Sequence, residues 1–181
     1  GAYNVTLQFR GVWTTALQDV FITAAERISA TIIGDIPAVK VGNTMVDDIL
    51  ITAELAPMDG PGGTLGQAGP TALRPTTLLP AAAAMRFDSA DAQAFHNQGL
   101  FDEIVTHEML HAIGFGAIWD ARGLLTPAGF IGPHAMAEYA TLTDAYAASN
   151  GASTTLPNGT PLPRGAVPVE TEGNPGTIRA H

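Results

Sequence analysis

Odd and even positions part company from the first residues of the chain. Tyr3, Val5, Leu7 and Phe9 alternate with Asn4, Thr6, Gln8 and Arg10, the period-two pattern of a strand with one face in a core and the other in water. The period then lengthens. Leu17, Val20, Phe21, Ala24 and Ile28 recur at helical intervals behind Thr15 and Gln18 at capping-box spacing, which predicts a helix to about Ile28 that packs on the sheet. Gly34 and Pro37 end it, and Val39 and Val41 suggest a short second strand before Asn43. Ile49, Ile51, Ala53 and Leu55 then alternate with Leu50, Thr52 and Glu54. Apolar residues on much of both faces are what a central strand requires.

Asp59-Gly60 turns the chain, residues 60–69 are rich in glycine, and a proline-punctuated segment leads to Pro80. Ala81 to Phe87 fits a buried strand of small residues that ends at Asp88, with Asp91 three further on. After Gly99 a helix is expected from Leu100 or Phe101 to Gly114, a residue suited to the left-handed conformation that closes a helix. Pro133 opens one more, with Met136, Tyr139, Ala140, Thr143 and Tyr146 or Ala147 on its inner side. From Ser149 to His181 glycine and proline dominate, periodicity is lost, and no internal repeat is found anywhere.

Within the third helical run stands His107-Glu108-Met109-Leu110-His111-Ala112-Ile113-Gly114, which reads H-E-x-x-H-x-x-G. Residues four apart share a helix face, so His107 and His111 can aim two imidazoles at one metal ion. Glu108 lies beside them. Zinc in catalytic sites takes three protein ligands and keeps a fourth position for water, and a nearby carboxylate can take that water's proton.

Composition narrows the chemistry. At 181 residues and 46% hydrophobic content, the chain fits one domain with a sizeable core, here read as residues 1–181 with an upper lobe 1–114 and a lower, loop-rich lobe 115–181. Eight basic against seventeen acidic residues, net charge -9, disfavours nucleic acid or an anionic membrane as partner. Lys40 is the single lysine. With no cysteine, any zinc must be held by His, Asp or Glu. No apolar run is long enough to span a membrane, and no basic leader opens the chain, which starts directly in a strand and so reads as a processed or trimmed domain.

These residues resemble a known family. The metzincin signature is H-E-x-x-H-x-x-G-x-x-H followed by a methionine turn, and the chain follows its helix and glycine but has Ala117 at the third histidine. In this the run from His107 to Gly116 is similar to the leishmanolysin-like metallopeptidases, whose third ligand follows a long insertion. The likeness extends back through residues 46–91 and forward to the Gly176-Thr177-Ile178-Arg179-Ala180-His181 ending. It implies zinc on His107, His111 and His181, with Glu108 as general base and acid. Of the other histidines, His96 precedes the helix and His134 follows Pro133 at an expected helix start, so both read as surface residues. Trp13 and Trp119 read as packing anchors. No methionine follows Met136, so by the same resemblance the chain is expected to stop before its methionine turn.

A narrower likeness concerns Asp59-Gly60-Pro61-Gly62-Gly63-Thr64-Leu65, which resembles the calcium loop of matrix metalloproteinases. Carried over, Asp59, Gly60, Gly62 and Thr64 would share a calcium ion with Asp88 and Asp91, a hard cation suited to carboxylate and carbonyl oxygens. Gln67 and Arg86 stand where the histidines of that family's structural zinc would be, so no second zinc is expected.

The fold implied is α+β: a metzincin-like twisted mixed sheet with an N-terminal helix and an active-site helix, then an irregular C-terminal lobe. Residues 63–68, notably Gly63, Leu65, Gly66, Gln67 and Ala68, would form an upper edge strand that binds an extended substrate by strand addition, unprotected by lysine or proline. The function implied is a secreted, monomeric zinc endopeptidase acting on proteins or peptides. The alternatives are a protease-like module that binds extended peptides without cutting them, and a calcium-stabilised structural domain. Glu108 weighs against both, since zinc binding alone needs no base there.

Overall fold

The computed structural model describes residues 2–155, 157, 159, 161, 162 and 164–169. The chain divides into two compact units, Gly1–Ile118 and Trp119–His181.

The first unit is built on a four-stranded mixed sheet. β1 (Val5–Gly11), β4 (Ile49–Ala56) and β6 (Pro80–Asp88) run parallel, and β5 (Gly66–Leu73) closes the far edge antiparallel to β6, giving the order β1-β4-β6-β5. Parallel neighbours need a crossover, and α1 (Thr15–Thr31) supplies the one from β1 to β4. β2 (Val39–Val41) and β3 (Thr44–Val46) form a small separate hairpin on the way. Between β6 and the long helix α3 (Phe101–Ala112) lies the short α2 (Ala92–Asn97).

The alternation in β1 and β4 behaves as the sequence implies. Ile49, Ile51, Ala53 and Leu55 are buried, while Thr6, Gln8 and Arg10 face out. β4 is central, flanked by β1 and β6. α1 and α3 lie on the sheet's apolar face and pack together around Phe21, Phe87 and Phe101, each with no exposed surface. Their rings meet edge-on, at 5.4 Å between Phe21 and Phe87, 5.4 Å between Phe87 and Phe101, and 6.1 Å between Phe21 and Phe101. Trp13 anchors the near end as expected, edge-on to Phe9 and Phe21 with its indole N–H donated to the Arg10 carbonyl.

α1 departs from the sequence reading by one residue at its start. Thr14, extended at φ -88 and ψ 155, is the N-cap, and its hydroxyl accepts the Leu17 N–H, so Thr15 and Gln18 form no capping box. The helix also runs three residues past Ile28.

β5 departs further. It begins at Gly66 and continues through Pro70 to Leu73, so Gly63 and Leu65 precede it, the Leu65 carbonyl accepting the N–H of Asp88 at the end of β6. Gly66 is required here, since a Cβ would lie 2.6 Å from the Phe87 ring. The edge is not free of proline: Pro70 removes a donor, and the register shifts between Pro70 and Ala72. The regular, donor-complete edge is therefore Gly66–Gly69.

The second unit carries the helix expected to open at Pro133 and a small hairpin that no pattern announces. It contains a two-residue-per-strand hairpin, β7 (Leu125–Thr126) and β8 (Gly129–Phe130), bridged from Phe130 to Val167, and the 17-residue helix α4 (Pro133–Ser149). Pro133 does open α4, but only Thr143 of its expected inner face is buried, and Ala140 is exposed. Trp119 stacks at 4.3 Å on Phe130.

Candidate metal centre

The histidine pair stands on α3. Asp102 and Glu103 in its first turn favour the positive helix N-terminus. Phe101, Val105, Met109 and Ala112 recur at steps of four and three and are fully buried, which fixes the helix rotation against the core. His107 and His111 then fall on a half-exposed flank, and Glu108 between them is buried.

The chain leaves the helix through a tight cap. The Phe115 N–H reaches back to the Leu110 carbonyl at 2.9 Å and the Gly114 N–H to the His111 carbonyl at 3.0 Å, the paired bonds of a Schellman motif. Gly114 holds φ +110, and a Cβ there would lie 2.9 Å from Ile118 Cδ1. The cap aims the Phe115 carbonyl at His111, whose Nδ1 lies 2.9 Å from it. A carbonyl can only accept, so in the neutral ring Nδ1 carries the proton and Nε2 keeps its lone pair. Beyond the cap Phe115 is exposed and Ile118 is buried, and the first compact unit includes residues to Ile118.

His111 Nε2 lies 3.1 Å from His107 Nε2, with the two rings nearly perpendicular at 87°. Two nitrogens that share a tetrahedral zinc at about 2.0–2.1 Å are separated by roughly 3.3–3.4 Å. The observed separation is about 0.3 Å shorter and is that of a hydrogen bond, His107 Nε2–H donating to His111 Nε2, so a shared ion would replace this proton. The Nδ1 anchor of His111 is the kind of outer contact that orients a metal-binding imidazole.

The third expected ligand, His181, lies outside the described residues. His96, half-buried in the last turn of α2, lines a pocket with Asp19 and Asp102, and His134 is the exposed second residue of α4. Among the described residues, the group of three acidic or imidazole side chains whose ligand atoms converge is Asp35, Asp47 and Asp48, a cluster the sequence did not signal because Asp35 is twelve residues from Asp47.

The glycine-rich loop does gather around its carboxylates. The chain leaving β4 must cross the end of β6 to reach the edge strand, and Asp88 fastens that crossing. Its Oδ2 accepts the N–H groups of Met58 at 3.3 Å, Asp59 at 3.1 Å and Gly60 at 3.0 Å, and its Oδ1 that of Ala90 at 2.8 Å. Asp91 accepts the Gly62 N–H, and Asp59 the Thr64 N–H. So Asp59, Gly60, Gly62, Thr64, Asp88 and Asp91 belong to one loop crossing, tied by amide donors on the three carboxylates.

The Ala90 amide, foremost, holds the Asp88 carboxyl below its ordinary value; burial opposes this, and the Gly60, Asp59 and Met58 amides add to it. A carboxyl whose folded pKa is depressed stabilises fully above the ordinary carboxylate range and loses that stabilisation as pH falls through the folded value. The melting temperature should hold from pH 7 to about 5 and fall below about 4. Asp88→Asn should melt lower at pH 7 and show a flatter acid limb, checked by thermal melts across that range; an unchanged acid limb would remove Asp88 from the account.

Compared with known proteins, the chain matches no family model and no curated protein sequence.

Proposed function

We propose that the chain is a zinc-dependent endopeptidase. The observation that supports this most is the facing pair of Nε2 atoms on His107 and His111, 3.1 Å apart, with His111 anchored through Nδ1 on the helix cap. His107 and His111 would hold zinc together with His181, the last assigned by the family resemblance. Bound zinc would lower the pKa of a water and polarise the substrate carbonyl. The base is Glu108, the helical neighbour of His107: it takes a proton from the attacking water and returns it to the leaving amine nitrogen. The burial of its side chain limits competing solvent. Gly66, Gln67, Ala68 and Gly69 offer the regular part of the β5 edge, where an extended peptide adds by backbone pairing. No described helix is long and apolar enough to cross a membrane, and secretion belongs to this proposal.

The test is cleavage of an unfolded protein by the zinc-loaded chain near neutral pH. Cleavage that stops with a chelator and returns with zinc is expected. No cleavage across a diverse peptide library would contradict the proposal.

Calcium at the loop formed by Asp59, Gly60, Gly62, Thr64, Asp88 and Asp91 is a separable part of the same reading. Its support is that Asp59, Asp88 and Asp91 each accept backbone amides of the one glycine-rich crossing. By linkage, an ion bound only to the folded state raises the melting temperature as its concentration rises. A rise is expected when calcium is titrated into thoroughly metal-stripped protein, and a flat response would leave the loop to its amide contacts alone.

A further inference from the structure

Ala84 lies on β6, an interior strand, and is nevertheless exposed. It belongs to the face of the sheet turned away from α1 and α3, where a cavity of about 560 Å³ is lined from all four strands. The strand register sets two rows across that face. Gln67, Arg86, Glu54 and Arg10 stand opposite one another on β5, β6, β4 and β1, and beside them Gly69, Ala84 and Thr52 form a second row. In the first row Glu54 lies between two arginines, with Arg86 Nε 3.4 Å from Glu54 Oε2 and Arg10 exposed. Two guanidinium groups against one carboxylate leave this row positive on a protein of net charge -9. A guanidinium has five N–H donors in a planar fork, so Arg86 can hold a second carboxylate beside that of Glu54.

The second row opens onto the edge of the sheet at Gly69. The backbone there is not left-handed, and a Cβ would meet nothing within 4 Å, so neither conformation nor packing inside the chain calls for glycine. The register shift of β5 falls beyond it, between Pro70 and Ala72. Glycine inside a strand weakens the strand, and where no bulge or bend requires it, it marks the close approach of a ligand or another backbone.

We propose that an extended polypeptide paired on β5 is selected for an acidic residue, glutamate by its length, at the position facing Gly69, its carboxylate crossing the bare glycine to reach Arg86. Directly opposed residues in paired strands project to the same face. Strands lie about 4.8 Å apart, so the incoming residue starts about 10 Å across the sheet from the strand of Arg86, within the combined reach of the two side chains. Lysine at this position would meet the positive row instead. The inference rests on the strand addition proposed above, and not on zinc or turnover.

The probes are acetyl-Thr-Val-Thr-Xaa-Thr-Val-Thr-amide peptides with Glu, Gln or Lys at Xaa, titrated into the full chain carrying Glu108→Gln so that none is cut, while the Gln67 and Gly69 amide resonances report pairing on β5. The Glu peptide should bind about two- to fivefold more tightly than the Gln peptide, the range of an exposed ion pair, and the Lys peptide more weakly than either, with the differences shrinking in salt. Arg86→Gln should remove the preference for Glu while leaving the Gln peptide's affinity unchanged, and Glu54→Gln should increase it. Gly69→Val, whose side chain has open space in the fold, should remove it by walling off the path. In the zinc-loaded parent the same preference should appear as glutamate at a fixed distance from the cut. Equal binding of the three peptides, or a preference for Glu that persists in Arg86→Gln, would overturn the acidic selection while leaving the peptidase proposal standing. Binding without shifts at Gln67 and Gly69, or no binding at all, would overturn it together with strand addition at β5.

Discussion

Glu108→Gln lowers peptide hydrolysis by about 10²–10⁴-fold, the usual worth of a positioned proton-transfer group, while leaving zinc content and melting temperature close to the parent values. Glutamine keeps the shape and one acceptor but cannot take a proton from water at neutral pH. The substitution therefore separates the two jobs proposed for α3. On that proposal His107 and His111 hold the ion and Glu108 moves the proton. Single-turnover cleavage of a fluorogenic peptide, with metal analysis of the same sample, checks both halves. Full activity in Glu108→Gln would assign the base elsewhere. Loss of zinc along with activity would make Glu108 part of the metal-holding structure. A protease-like binder would show neither effect, because it has no turnover to lose.

Phe21→Ala should be the most damaging core substitution in the first unit, at about 3–5 kcal/mol. Phe21 has no exposed surface and lies edge-on to Phe9, Trp13, Phe87 and Phe101, so its removal leaves a cavity that α1, α3 and the sheet would all have to move to fill. At roughly 2–4 °C per kcal/mol for a chain of this size, the melting temperature should fall by about 10 °C. Because α3 is positioned by the same cluster through Phe101, loosening of the histidine pair should accompany the loss, visible as weaker zinc binding in the variant below its melting point. A fall of less than about 3 °C would show that the aromatic cluster does not carry the packing assigned to it.

What could be read in the sequence follows the length of each pattern. Tyr3 to Arg10 and Ile49 to Leu55 repeat often enough to declare both the strand and its buried face, and β1 and β4 agree with them. Val39 and Val41 suffice to suggest β2, but its partner β3, α2 with six residues, and the two-residue strands β7 and β8 are too short for any period to register. β5 has no periodic signature and is expected only through the family resemblance, at residues 63–68. Gly66, Gly69 and Pro70 have loop chemistry, and the segment is a strand because β6 offers a partner, so tertiary pairing overrides local preference. At the metal centre, His107 and His111 were legible because a helix makes i and i+4 neighbours. The Phe115 carbonyl that orients His111 was not, since a backbone atom has no signature of its own; the glycine at 114 was the one trace of the cap that brings it round. The nearness of Asp88 and Asp91 to the loop at Asp59 was legible as well. The direction in which its amides point was not, because either orientation satisfies the same glycine-rich sequence.

The central claim, that the histidine pair of α3 holds catalytic zinc, is tested most directly by zinc stoichiometry in the full chain and in His107→Ala and His111→Ala. The account predicts one tightly bound zinc per chain in the parent, lost in both variants while the folded state persists. An absence of tight zinc binding in the parent, or zinc retained at full occupancy after either substitution, would contradict it.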